Sequence, residues 1–179
     1  MTGGLAGARA TGAILAVLVL AHPLPAQDGE APGRPDRAAV SADPGVPSDS
    51  AAARREVLEV LDRMARAMAA RDTAALVGLF LPGARLVGMR PREGGPALQA
   101  LTAAQFAEFM ARDRRETWIE RMHDPEVRID GTLATVWVRY DFSFGDRLSH
   151  CGTDAFQLLR TDAGWRIASL ADTYRTEGC

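Results

Sequence analysis

The sequence contains no lysine: all 21 of its basic residues are arginine, set against 23 acids for a formal charge of −2. Without lysine there is no side-chain amine for a Schiff base, and that class of covalent catalysis is excluded. The near-neutral balance lacks the basic excess of nucleic-acid and anionic-membrane binders, so no nucleic-acid partner is expected. Two cysteines, Cys151 and Cys179, are too few for a disulfide-built scaffold or a four-cysteine zinc site. The three histidines (His22, His123 and His150) have no metal-ligand spacing, so no metal is expected. No apolar run reaches the roughly 18 to 20 residues that span a bilayer, and no transmembrane segment is expected. Neither a GxGxxG loop nor a GxSxG elbow occurs, and no cofactor is expected.

What is present divides the chain into three. Arg9 and the apolar run Gly12 to Ala21 read as the first two parts of an export signal, with cleavage expected after Ala26. Residues 1–26 are therefore expected to send the protein to the periplasm or the extracellular space. Residues 27–50 are rich in Pro, Gly, Ala, Asp and Ser. With almost no large apolar side chain to bury, this stretch is expected to be a disordered linker. Periodic apolar patterning then runs through residues 51–179, the expected folded domain. In an oxidising compartment Cys151 and Cys179 either pair, helped by a turn at Gly178, or stay as two separate thiols.

Within the domain, Val57, Leu61, Met64 and Met68 recur at helical spacing, which predicts a helix over 51–71. A second short helix is expected from Asp72 or Thr73 through Phe80, stopped by Pro82-Gly83. Short strands are expected at 84–89 and 98–101. Thr102 and Gln105 have capping-box spacing and open a third helix with Phe106, Phe109 and Met110 on its buried side. Arg112, Arg114 and Arg115, interleaved with Asp113 and Glu116, read as its solvated end. From Trp118 the period becomes two, giving strands at about 117–129, 133–144, 147–160 and 165–174 joined by hairpin turns. Helices followed by a meander predict an α+β fold, its helices packed on one face of a curved, mainly antiparallel sheet.

The helix pair, the turn Phe80-Leu81-Pro82-Gly83-Ala84 and the long strands resemble the nuclear transport factor 2-like superfamily. The run Ser149 to Leu158, with Gly164-Trp165-Arg166-Ile167 and Ala171-Asp172-Thr173, is similar to its lumazine-binding branch. The resemblance covers about 54–179. It implies a cone-shaped α+β domain with a pocket between helices and sheet, often dimeric. Relatives include isomerases, polyketide cyclases, dehydratases and pure binding modules, so it fixes no activity.

Reading the turns as regular hairpins sets a strand register. It places His123, Val138, Thr153 and Asp172 in one row on the apolar, helix-facing side. A bulge at Pro125 would exchange faces beyond it. The polar groups expected on the inner face are Arg121, His123, Tyr140, Thr153, Gln157, Asp172 and Tyr174. Asp172 and His123 are the candidate proton-transfer groups, and the other five the candidate ligand contacts. On a flat sheet Asp172 and His123 lie roughly 14 Å apart, flanking a ligand rather than touching each other. Glu120, Arg139, Asp141, His150 and Asp154 are expected on the outer face, where Asp141 and His150 read as a solvated pair. Trp118, Trp137, Phe156, Leu158 and Ile167 are expected outside too, and so apolar a set predicts a homodimer through the sheet. The sequence thus favours an exported protein that binds a small molecule. The alternatives are an isomerase, cyclase or dehydratase using Asp172 or His123, and an accessory module that binds another protein.

Overall fold

The computed structural model describes residues 50–113 and 116–179. The expected export signal and all but the last residue of the expected linker lie outside the described residues, as do Arg114 and Arg115 of the arginine cluster.

Helix α1 (Ala51–Ala70) is capped by the Ser50 hydroxyl, which accepts from the Ala53 amide, and ends at Arg71 in the left-handed region. Its buried stripe includes Val57, Leu61, Met64 and Met68. Asp72 caps the short α2 (Thr73–Gly78). That helix ends earlier than expected: Phe80 already belongs to strand β1 (Phe80–Arg90). Pro82-Gly83 falls in an irregular stretch of β1, where pairing with its neighbour shifts between Phe80 and Arg85. Strand β2 (Ala97–Thr102) leads into α3 (Ala103–Arg112). The capping box forms as its spacing requires: Gln105 N–H donates to Thr102 Oγ1, and the Gln105 side chain accepts from Thr102 N–H. Strands β3 (Trp118–Asp130), β4 (Leu133–Phe144), β5 (Arg147–Thr161) and β6 (Gly164–Asp172) complete the domain.

The six strands form one sheet in the order β2-β1-β6-β5-β4-β3. Every neighbouring pair is antiparallel except β1 and β6, which run parallel because the helical connection carries the chain to the far side of the sheet. The fold is thus the expected α+β one. The core lies between helices and sheet, with Leu61, Met64, Met68 and Met110 meeting Val136, Val138, Phe156, Leu158 and Ile167.

Three one-residue irregularities set which side chains face this core. Pairing of β3 with β4 slips at Asp124-Pro125, where Asp124 takes a positive φ of 51°. Asp tolerates the left-handed region, and Pro125 has no N–H to give the ladder, so the bulge falls where the chain permits it. In β5 the partner of Phe142 is His150 while that of Ser143 is Leu148, leaving Ser149 as the extra residue. In β6, Gln157 meets Ser169 but Leu158 meets Ile167, leaving Ala168 extra. A one-residue slip turns every later side chain to the opposite face.

The expected row is corrected accordingly. Val138 lies opposite Asp154 rather than Thr153, and His123 opposite Arg139 rather than Val138. Of the residues expected on the outer face, Trp118, Phe156, Leu158 and Ile167 are instead buried in the core. Trp137 alone of that group is exposed, at 56%.

Candidate functional site

A cavity of about 410 Å³ opens between α1, α3 and the inner sheet face. Met64 and Met68 from α1, Phe106 and Phe109 from α3, and Leu86, Leu101, Trp118, Phe142 and Leu170 make its walls apolar. Polar side chains interrupt that lining: Arg90, Glu120, Tyr140, His150, Asp154, Asp172 and Tyr174, with Arg92, Gln99 and Ser149 also in the wall.

Asp172 ends β6, where it lies beside Asp154 of β5 and Gly88 of β1. Arg90 Nη2 donates to its Oδ1 at 3.0 Å and forms an ion pair with its Oδ2 at 2.8 Å. Gly88 makes room for this pair, since a Cβ there would stand 2.1 Å from Asp172 Oδ1 and 2.2 Å from Arg90 Nη1. Burial raises the Asp172 carboxyl above its ordinary range, although Arg90 and the Tyr140 hydroxyl pull it down. Tyr140 donates to the Thr173 carbonyl at 2.8 Å, and burial followed by the neighbouring carboxylates pushes its phenol up. It is therefore a neutral donor. Gly152 opposite it is required by the same packing, because a Cβ would meet Thr173 O at 2.0 Å and the Tyr140 ring at 2.7 Å.

Two further acids lack the partner that Asp172 has. Asp154 is 3% exposed, and burial, then the charges of Glu120 and Asp172, raises its carboxyl well above the usual range. Glu120 reaches the same region from β3. Its Oε1 is buried with no hydrogen-bond partner among the described residues. Burial, then the charges of Asp172 and Asp141, pushes this carboxyl up to about 8. Desolvation and like charge act in the same direction, so near neutral pH Glu120 keeps its proton while Arg90 favours the ionised form of Asp172.

His150 closes the polar end, stacked between Phe142 at 4.8 Å and Tyr174 at 4.1 Å. Burial, then Arg90, lowers its imidazole to about 4, so the ring is neutral, with Nδ1 at 3.1 Å from Ser149 Oγ. Tyr174 in turn lies beneath the Arg90 guanidinium at 5.5 Å. The segment carrying Tyr174 is tied down twice, by the backbone pairing of Cys151 with Arg175 and by a Cys151–Cys179 disulfide. Of the two alternatives open in the sequence, the structure has the bonded pair.

Of the residues expected to form the site, Asp172, Tyr140 and Tyr174 line the cavity. The other four are elsewhere. His123 and Arg121 are exposed on the outer face, both paired with Asp141, Arg121 Nη1 at 3.5 Å. Gln157 is exposed and accepts from Ser169 Oγ at 3.1 Å. Thr153 is half-buried outside the cavity, its amide donating to Thr173 Oγ1 at 2.9 Å. The bulges at Asp124-Pro125 and Ser149 account for all four corrections. The same slips bring in Glu120, His150 and Asp154, which straight registers put outside. Arg90 was missed for another reason: it lies one residue past the strand expected to end at Met89. The expected pairing of Asp141 with His150 does not form, since His123 takes Asp141.

A helix-covered sheet with a polar-ended pocket in its concave face defines a nuclear transport factor 2-like domain. Within that superfamily the sequence matches the SnoaL-like domain family over residues 49–171, and the chain belongs to that family. The matching family is thus SnoaL-like, and the narrower lumazine-binding branch finds no separate support. No curated protein matches the sequence. Among solved structures, an NTF2-like protein with a cystatin-like fold from Novosphingobium aromaticivorans is similar, with a TM-score of 0.59 at 16% identity, covering 72% of this chain and 84% of that one. A candidate dehydratase of the NTF2-like family from Streptomyces avermitilis aligns with a TM-score of 0.54 at 18% identity, covering 68% and 94%. A candidate calcium/calmodulin dependent protein kinase II association domain from Xanthomonas campestris aligns at 0.56 and 20% identity, covering 74% and 93%. At these identities the likeness is one of fold.

Proposed function

We propose that the domain takes a small, largely apolar molecule into this cavity and exchanges a proton with it, in a reaction of the isomerase, cyclase or dehydratase type. The observation that carries this reading is the buried, unpartnered Glu120 carboxyl beside Asp154 and the Arg90-bound Asp172. A protonated Glu120 and an Asp172 carboxylate held by Arg90, in one largely apolar pocket, supply a proton donor and a proton acceptor together. Tyr140, held neutral, is a fixed hydrogen-bond donor beside them. The roles expected of Asp172 and His123 divide: Asp172 stays a candidate base, and Glu120 takes the place of the exposed His123 as candidate acid. Carbon-13 NMR of the side-chain carboxyls tests the assignment, with the Glu120 resonance identified through Glu120→Gln. A protonated Glu120 at pH 7 is the expected result. If every carboxyl of the cluster is ionised by pH 5, the proton source is missing and the reading fails.

The second reading, a non-catalytic carrier, is favoured by the apolar walls and by the engagement of Asp172 with Arg90. We also take the chain to be exported, on the strength of Arg9, the apolar run after it and a disulfide of the kind that persists in oxidising compartments. Self-association through the outer sheet face keeps Trp137 but not Phe156 or Ile167, which are buried. Trp137 shares that face with Leu133 and Leu159, a cross-strand pair that is 43% and 39% exposed. Trp137→Arg is expected to yield a monomer in size-exclusion chromatography with light scattering, and an unchanged mass would rule out this face.

A further inference from the structure

The acids around the cavity are unequally partnered. Asp172 has Arg90, whereas Glu120 and Asp154 have no hydrogen bond or ion pair among the described residues. The other titratable groups facing them are no counterion: His150 is neutral, and Tyr140 and Tyr174 are phenols. The helices present only Met64, Met68, Phe106 and Phe109, and the remaining cation, Arg92, is exposed at the rim. Asp141, behind the sheet, adds to the negative field at Glu120.

The surroundings of Glu120 are aromatic. Phe142 is its cross-strand partner, Trp118 precedes it by two on the same face, and their rings meet edge to face at 5.6 Å. Carboxylates set among aromatic faces attract a soft, bulky cation through charge and ring quadrupole together. No three His, Cys, Asp or Glu side chains among the described residues converge closely enough to hold a metal ion. The space of about 410 Å³ suits an organic molecule of modest size.

The geometry points to an organic monocation as the ligand: a protonated or quaternary amine whose nitrogen sits between Glu120 and Asp154 and whose apolar body lies against Trp118, Phe142 and Phe106. This rests on the reading of the cavity as a ligand site. Asp154 loses its proton to solvent as the ammonium enters, so that one cation meets one new carboxylate, while Glu120 keeps its proton beside them.

Benzyltrimethylammonium and its uncharged carbon isostere, neopentylbenzene, test it on the intact chain by ligand-detected NMR. The two differ in charge and hardly in shape. The cation is expected to bind about tenfold more tightly than the isostere. The double substitution Glu120→Gln with Asp154→Asn, its fold checked by circular dichroism, is expected to erase that preference. Isostere binding equal to or tighter than the cation overturns the charge assignment while leaving the cavity as a ligand site. Cation binding that the double variant keeps places it elsewhere, and also overturns the assignment. If neither probe binds, the inference fails together with the pocket reading.

Discussion

Glu120→Gln separates the cost of a buried charge from the shape of the side chain that carries it. The carboxyl rises from an ordinary value of 4.5 to about 8 in the folded protein. A group whose value is raised by folding gives its full stabilisation below its unfolded value, and loses it as pH climbs through the folded one. Wild type should therefore weaken from about pH 4.5 to about pH 8 through this group. At 1.36 kcal/mol for each tenfold change, the ceiling is roughly 5 kcal/mol. Relaxation and water entry reduce such penalties, so we expect about 2 kcal/mol. His150 acts in the opposite sense: lowered to about 4, it adds stability that is lost as pH falls from its unfolded value of 6.5. That contribution is common to both proteins and cancels in their difference. Urea unfolding at pH 5, 7 and 9 is the assay. The two proteins should be within about 1 kcal/mol at pH 5, and the variant more stable by about 2 kcal/mol at pH 9. A difference that stays constant across this range would show that Glu120 ionises normally, and the desolvated acid cluster would be refuted.

Two other outcomes follow from the packing. Cys179→Ser opens a disulfide spanning 28 residues, which chain entropy values at about 3 to 4 kcal/mol, and frees the Tyr174 segment. Amide exchange over 173–178 should quicken; unchanged exchange would mean that backbone pairing alone holds the segment. The register of β5 is checked by Phe156→Ala, expected to cost about 3 to 5 kcal/mol, against Gln157→Ala at under about 1 kcal/mol. The reverse order would restore the straight hairpin register.

The elements were legible because they rest on local rules. The helix over 51–71, the capping box at Thr102 and Gln105, and the hairpin turn at Gly145-Asp146 each depend on a few neighbouring residues, and each formed. The turn expected at Asp130-Gly131 forms one residue later at Gly131-Thr132, and the four-residue connection expected at 161–164 tightens to Asp162-Ala163 between the paired Thr161 and Gly164. The site depended on parity carried along whole strands, which one extra residue destroys. Asp172, Tyr140 and Tyr174 were placed correctly, the first because a slip at Ala168 in β6 does not alter its own face relative to β4 once β5 has slipped too. Straight registers send Glu120, His150 and Asp154 outward with Trp118, Phe156, Leu158 and Ile167. The signal that could have found them lay in that company: a face carrying so many large apolar groups is a core face, and its polar members are the buried ones. Pro125 marked one slip openly. Ser149 and Ala168 marked nothing, because no backbone rule sets either residue apart from its neighbours.

The extra residue at Ser149 also governs which changes in length this domain can survive. Deleting it would join Leu148 directly to His150, so that the Ser143–Leu148 and Phe142–His150 pairs follow one another without a bulge and Asp154, Phe156 and Leu158 keep their inward face. A residue added between His150 and Asp154 in an unbulged ladder would do the opposite, turning Asp154 from the cavity and by the same rotation carrying Phe156 and Leu158 out of the core. Site and core thus share one parity in this strand: a change of length that the fold survives leaves Asp154 pointing inward.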